Sequence, residues 1–255
     1  MKRYGIVRPI TMNCIAVVKA GGRILRSAFQ QRRLQIGEAV RVGHDVSFFG
    51  GGEVILGDNV TIERGVVFRS DEGATIEIGA GSRISAQSSL HARPGQVIRF
   101  GRCSVLGMRC HILSERGISF GDDSSLGSES FVGPREDGGQ GSLVVGTKSH
   151  LHSHTWIDLC ADVTVGDSVC TGPQCAFYTH NHVPSPGRLV WDQLPRFAPI
   201  SVGYGTWIGH GCYILPGVSI GDHSTIATGA VVTKSLEPWT TAGGIPARVL
   251  KILAP

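Results

Sequence analysis

Two short histidine pairs could do chemistry in this chain: His152-Ser153-His154 and His180-Asn181-His182. In extended backbone, residues two apart point to the same side, so each pair presents two imidazoles together. A neutral imidazole can take a proton from an attacking hydroxyl, because its ordinary pKa lies near working pH. Paired imidazoles can also hold a zinc ion. The second pair stands immediately before an irregular stretch, 183–199, and a long loop in a repetitive chain is usually there for binding. That placement makes His180 the first candidate for a general base, with His182 as the competing assignment.

The elements that must position these residues follow from a repeat. A tetrad of aliphatic, any, apolar, Gly occurs nine times, ending at Gly37, Gly57, Gly79, Gly101, Gly121, Gly146, Gly166, Gly203 and Gly221. Three residues past each Gly sits a small or β-branched residue, from Val40 and Val60 to Thr206 and Ser224. Five past it comes Val42, Ile62, Ile84, Leu106, Leu126, Leu151, Thr171, Ile208 or Ile226. The gaps between the glycines are 20, 22, 22, 20, 25, 20, 37 and 18 residues. Periods of this size mark architectures in which each unit buries its apolar side only by stacking on its neighbours.

Within a rung the pattern reads short strand, Gly corner, short strand, corner, with alternate residues of each tetrad turned inward. The Gly is expected there for the backbone freedom that a corner requires. The 18-residue gap is three hexapeptides, one triangular coil. The expected fold is therefore all-β, a left-handed parallel β-helix or hexapeptide-repeat solenoid. Nine or ten coils at about 4.8 Å each give a prism on the order of 45 Å long. The 37-residue gap is a coil plus an insertion. The expected division is a basic N-terminal segment over 1–33, the β-helix over 34–235 with its loop at 183–199, and a tail over 236–255 packing on the helix.

Composition agrees with tight corners and one solenoid: 255 residues with 36 Gly and 12 Pro. The seven cysteines are scattered with no CxxC pair, which reads as reduced thiols in a cytoplasm, several of them filling the coil interior. Charge is uneven. Residues 1–35 hold eight Lys/Arg and no acid, leaving 16 bases against 20 acids elsewhere. The apolar run Ile10–Val18 is too short for a membrane span. Ile15–Leu34 is expected to form a basic helix that caps the open end of the solenoid, with peripheral contact to the inner face of a membrane as the alternative use of residues 1–33. No nucleic-acid partner is expected.

The C-terminal third adds Gly205-Thr206-Trp207-Ile208-Gly209-His210-Gly211, then Ile214-Leu215-Pro216-Gly217, Val231-Val232-Thr233-Lys234 and Gly243-Gly244-Ile245-Pro246-Ala247-Arg248. Through these segments the chain resembles the hexapeptide-repeat acyltransferases, the galactoside, maltose and polysaccharide O-acetyltransferases in particular. The match is close over roughly 140–252 and rests on the repeats alone before that. The resemblance implies a homotrimer with active sites in the clefts between subunits and acetyl-CoA as donor cosubstrate, with no metal expected. It implies a catalytic His at His180 or His182. It further implies donor contacts at Trp207, Gly209, His210 and Thr228, and phosphate contacts at Lys234 and Arg248.

Sugar acetyltransferases of this kind tend to carry an acceptor-binding Asn one coil before the base. Here that stretch reads His152 to Trp156. A different acceptor pocket is therefore expected, using His154 and Trp156 with Arg188 and Trp191 of the loop.

A γ-carbonic-anhydrase-like metalloenzyme shares such a fold, and an antibiotic acetyltransferase shares the base and tail. Counted from their own rung glycines, however, the histidine pairs sit at +6/+8 and +14/+16. That separation puts them on different faces of one subunit, so they could meet only across a cleft between subunits. The expected activity is O-acetylation of a saccharide hydroxyl, on a surface-polysaccharide precursor or a sugar nucleotide, in the cytoplasm.

Overall fold

Eight of the nine tetrads pair coil on coil in unbroken register, from Leu34–Ile36 against Glu53–Leu56 to Val163–Val165 against Ile200–Val202, and Ser219–Ile220 closes the stack. The computed structural model describes residues 33–189 and 192–253. The expected helix at Ile15–Leu34 falls almost wholly outside the described residues, as does Trp191. Among the described residues, no helix is long and apolar enough to cross a membrane.

Three parallel sheets form the walls of a solenoid. The first face holds the nine tetrad strands. The second begins at Arg41–Val42 and runs through Trp207–Ile208 and Thr225–Ile226; the third begins at Ser47–Phe49 and ends at Val231–Val232. Consecutive coils pair in register, for example Ile98↔Ile118 and Phe100↔Phe120. The latter pair stacks ring on ring at 4.6 Å inside the prism.

The core is the inward half of the repeat. The positions three past each tetrad Gly are all buried, apolar (Val40, Val60, Val169) or hydroxylic (Ser82, Ser104, Ser124, Ser149, Thr206, Ser224). The hydroxyls are tolerated because each finds an acceptor. Ser82 Oγ donates to Gly101 O at 2.8 Å and Ser149 Oγ to Gly166 O at 2.7 Å, one coil to the next. Cys110, Cys175 and Cys212 also lie buried, each directing its thiol to a carbonyl at 3.1 Å.

The reason for the tetrad glycines differs from the expectation. None of the nine has a positive φ; that conformation falls two residues later, at positions such as Asn59, Cys103, Asp123 and Lys148. What excludes a side chain is the next coil. A Cβ on Gly101 would lie 2.6 Å from Asp122 N, and one on Gly221 would lie 2.3 Å from Pro238 N. Close stacking of coils requires these glycines, and the twist of the corner does not. The vacated space is used by carboxylates. Asp58, Asp122, Asp167 and Asp222 each accept a corner N–H from the coil before, at 2.7–2.8 Å.

The insertion is more ordered than a structureless loop. His180–His182 pairs antiparallel with Pro195–Phe197 to make a two-stranded arm, with His180 opposite Phe197 and His182 opposite Pro195. At the other end, strand pairing runs past residue 235. Thr240–Gly243 adds to the second face parallel to Thr225–Ile226, and Arg248–Ile252 returns antiparallel along it.

Candidate active site

The arm leaves the third face after Ala176–Phe177, and alternation decides what it presents. Phe177 and Thr179 turn inward and are fully buried, whereas Tyr178, His180 and His182 are partly exposed. The two imidazoles meet edge to face with ring centroids 6.0 Å apart. One coil earlier, strand Trp156–Asp158 carries an acid beneath the first of them.

Asp158 is the residue that sequence reasoning missed. Its carboxylate is fully buried and saturated with donors. Oδ2 accepts from His180 Nδ1 at 2.7 Å, Thr179 N at 3.0 Å and Thr179 Oγ1 at 2.9 Å. Oδ1 accepts from Cys160 Sγ at 3.0 Å and Cys160 N at 3.3 Å. Burial alone pushes the Asp158 pKa up, and it is the largest single influence. The hydrogen bonds from Cys160, His180 and Thr179 together outweigh it and hold the group below its ordinary value, so it is ionised. Burial first, and then the neighbouring carboxylate, push the Cys160 thiol up to about 11, which keeps it a neutral donor.

An ionised carboxylate can only accept, so His180 Nδ1 carries a proton, and of the two neutral tautomers the contact selects the one whose lone pair is on Nε2. The His180 side chain is 18% exposed, enough to be reached by a ligand while remaining fixed from below. His182 has no such orienting partner. Its Nδ1 is buried without a hydrogen bond, and its Nε2 stands 3.8 Å from Glu136 Oε2. Position relative to an orienting acid thus separates the two candidates in favour of His180.

Beside this dyad the third face carries an aromatic surface. Tyr178 and Tyr213 stack with centroids 6.2 Å apart. Trp156 stacks on Phe131 at 4.6 Å, and the Arg135 guanidinium lies 5.0 Å from the Trp156 ring. A depression of about 410 Å³ is bordered by His154, Trp156, Gln174, Tyr178 and Tyr213. It brings together two of the residues expected to meet an acceptor, His154 and Trp156. Arg188 is exposed on the arm's connecting loop and does not border the depression.

The expected donor residues form a separate group. Trp207 stands outward on the second face between Cys170 and Thr225, 45% exposed. Gly209, His210 and Thr228 occupy the corners that follow. A Cβ on Gly209 would lie 2.6 Å from Thr228 N, so the chain there accepts only glycine without moving. Lys234 is exposed after Val231–Val232, and Arg248 is exposed on the returning strand. Trp207 and Arg248 therefore stand on a different wall of one subunit from the strand that leads to His180, whereas Lys234 follows a strand of the same wall. The two histidine pairs are likewise apart. His154 faces Glu129 at 3.6 Å, and among the described residues no metal-sized cluster joins it to His180 or His182.

The family described as bacterial transferase hexapeptide (six repeats) matches residues 199–234, the coils that carry Trp207, Gly209 and Thr228. Over these coils the chain resembles the hexapeptide-repeat transferases. The chain is 38% identical over 89 residues to galactoside O-acetyltransferase of Escherichia coli K12, a match covering 35% of the chain and 43% of that protein. It is 24% identical over 161 residues to a putative lipopolysaccharide biosynthesis O-acetyl transferase, WbbJ, of the same organism, covering 60% and 80%. A solved hexapeptide-repeat acetyltransferase of Vibrio cholerae, VCA0836, complexed with acetyl coenzyme A, is 32% identical with a TM-score of 0.42, covering 52% and 72%. The chain spans under half the length of the first of these relatives.

Proposed function

We propose that this transferase is an acetyl-CoA-dependent O-acetyltransferase acting on a saccharide hydroxyl. The observation that carries the reading is the Asp158–His180 pair at the foot of the arm, because the buried carboxylate orients a partly exposed imidazole through its Nδ1 and leaves Nε2 free to act. His180 Nε2 takes the acceptor hydroxyl proton as that oxygen attacks the thioester carbonyl. The C–S bond breaks, and the proton passes to the departing CoA sulfur, so no covalent acyl-enzyme is formed. Asp158 stabilises the imidazolium that exists between the two proton transfers.

The acceptor class rests on the aromatic depression, where Trp156, Tyr178 and Tyr213 offer faces for a pyranose ring and His154 and Gln174 offer hydrogen-bonding groups. Relatives named for galactoside and lipopolysaccharide acetylation support the same class. Trp207, Gly209, His210 and Thr228 are assigned to the donor arm, and Lys234 and Arg248 to its phosphates. Because His180 and Trp207 are carried by different walls, the functional unit is a homotrimer in which a neighbour completes each cleft. The basic segment 1–33 suits peripheral attachment to an anionic membrane face, where a lipid-linked acceptor would be found. The test is acetyl-CoA consumption over a panel of sugars, nucleotide sugars and chloramphenicol- or streptogramin-type drugs. Turnover with a saccharide supports the proposal; turnover with a drug alone, or none, overturns it.

A further inference from the structure

We infer that the base of this enzyme doubles as part of a divalent transition-metal site, and that zinc bound there switches acetyl transfer off. The inference rests on the proposed role of His180. Glu136, His180 and His182 each bring one ligand atom to within 4.8 Å of the others. All three side chains are partly exposed, at 30%, 18% and 32%, so an ion can enter from solvent.

Three features separate this cluster from an ordinary polar patch. First, the Glu136–His182 gap of 3.8 Å is too long for a hydrogen bond. Two ligands on one tetrahedral zinc, each bonded at about 2.0–2.2 Å, stand roughly 3.3–3.6 Å apart, so the gap needs only a small inward shift to close around an ion. Second, His180 already has its Nδ1 committed to a buried carboxylate at 2.7 Å. That arrangement fixes the tautomer of zinc-ligating histidines and raises the basicity of the other nitrogen. Third, among the described residues His182 Nδ1 has no hydrogen-bond partner, so this ring is held by packing on His180 and not by a hydrogen bond that an ion would have to break. Two imidazoles and one carboxylate suit zinc over magnesium or calcium, which prefer all-oxygen sites.

The consequence follows from the atoms. A zinc ion on His180 Nε2 occupies the lone pair that would accept the acceptor's proton, so binding of the ion and catalysis exclude one another. The ion takes lone pairs, so any proton held on a ligand atom passes to solvent as the ion binds, and a chelator reverses the step.

The experiment is equilibrium dialysis of the full chain against Zn²⁺, alongside acetyl-transfer rates at the same free zinc. One ion per subunit is expected, with activity falling as the site fills and returning with EDTA. Glu136→Gln leaves zinc-free activity intact and weakens zinc binding by at least the roughly 10–100-fold that loss of even an outer-shell partner costs. Its inhibition curve shifts to higher zinc by the same factor. Cobalt(II) loading adds an activity-independent readout, a tetrahedral visible spectrum lost in Glu136→Gln and His182→Gln. Absence of stoichiometric zinc, or zinc binding unchanged in Glu136→Gln, overturns the inference and leaves the acetyltransferase reading standing. Stoichiometric zinc at this cluster with unimpaired turnover shows instead that His180 is not the base.

Discussion

Asp158→Asn tests the dyad with the smallest change of shape. An Asn must turn one oxygen into an NH₂, and the surroundings decide which. At the Oδ2 position an NH₂ would face three donors, Thr179 N, Thr179 Oγ1 and His180 Nδ1. At the Oδ1 position it would face only the Cys160 N–H at 3.3 Å and a thiol that can rotate to accept. The amide therefore settles with its oxygen toward His180, and the imidazole keeps its place and tautomer. What is lost is the charge. One strained contact to Cys160 N costs about 1–3 kcal/mol of stability. At this chain length that lowers Tm by about 2–4 °C per kcal/mol.

Turnover should fall much further, because the imidazolium no longer meets an anion. With the tautomer kept, the loss is expected to approach but not exceed the roughly 10²–10⁴ that a general base is worth. KM for acetyl-CoA should hardly move. The pH dependence of stability gives a second check. The folded-state pKa of Asp158 is depressed, so its contribution is fully present above the ordinary carboxylate value of 3.8 and is lost as pH falls through the folded value. The acid limb of the wild-type stability profile should therefore be shallower in Asp158→Asn. Steady-state kinetics and thermal melts from pH 3 to 8 measure both; these pH limits are about one unit below and four above the carboxylate range. A variant that loses stability yet keeps turnover within a few-fold would refute the reasoning and leave Asp158 a structural staple.

Further outcomes are expected. His180→Ala should lower turnover by roughly 10²–10⁴-fold with little change in donor affinity, and His182→Ala should cost less; a reversed order exchanges the two assignments. Lys234→Ala and Arg248→Ala should weaken acetyl-CoA more than a dephospho-CoA donor, and equal losses would argue against phosphate contact. Light scattering should give three subunits per particle at micromolar concentration, whereas a fully active monomer would rule out a shared cleft. Gly101→Ala should destabilise strongly, since its Cβ would meet Asp122 N at 2.6 Å; a neutral melt would mean the coils can separate locally.

The fold is legible in the sequence because its rule is local and repeated nine times. Inward residues such as Ile62, Ile84, Leu106 and Leu126 are apolar at a fixed offset from the tetrad glycine, and the structure buries them all. The role of those glycines is less legible, because a collision with the next coil is a contact some twenty residues away that one rung does not display. His180 stands out by its place at the edge of an interruption. Asp158 does not. Its signal is an acid directly after the interior Ile157, one 20-residue coil and two residues before His180, and it surfaces only once the arm is followed past the register. Tyr178 and Tyr213 escape notice for the same reason, since their 35-residue separation hides a direct stack.

The interruption and the chemistry have one physical cause. In a regular coil each side chain points either into a dry core or out to water, and neither suits a general base. Outward carboxylates on the ladder, such as Glu77 beside Arg99, stay solvated and their pairs contribute little. Inward positions accept hydroxyls but would leave a charge without enough donors. Asp158 escapes this choice because the chain departs from the repeat immediately above it. Thr179 turns in to supply two donors, Cys160 supplies two more from the corner below, and the arm carries His180 across as a partly exposed lid. Removing the arm while restoring a plain corner would therefore return Asp158 to solvent, and with it an ordinary carboxylate pKa. A variant in which residues 183–194 are replaced by a two-residue Asn-Gly turn, which can connect the paired His182 and Pro195, keeps the two arm strands and separates the roles. If the dyad is held by the strands, its stability profile at low pH should match the full chain, while loss of acceptor turnover would assign the loop to substrate. A low-pH profile matching that of Asp158→Asn would instead show that the loop itself closes the site.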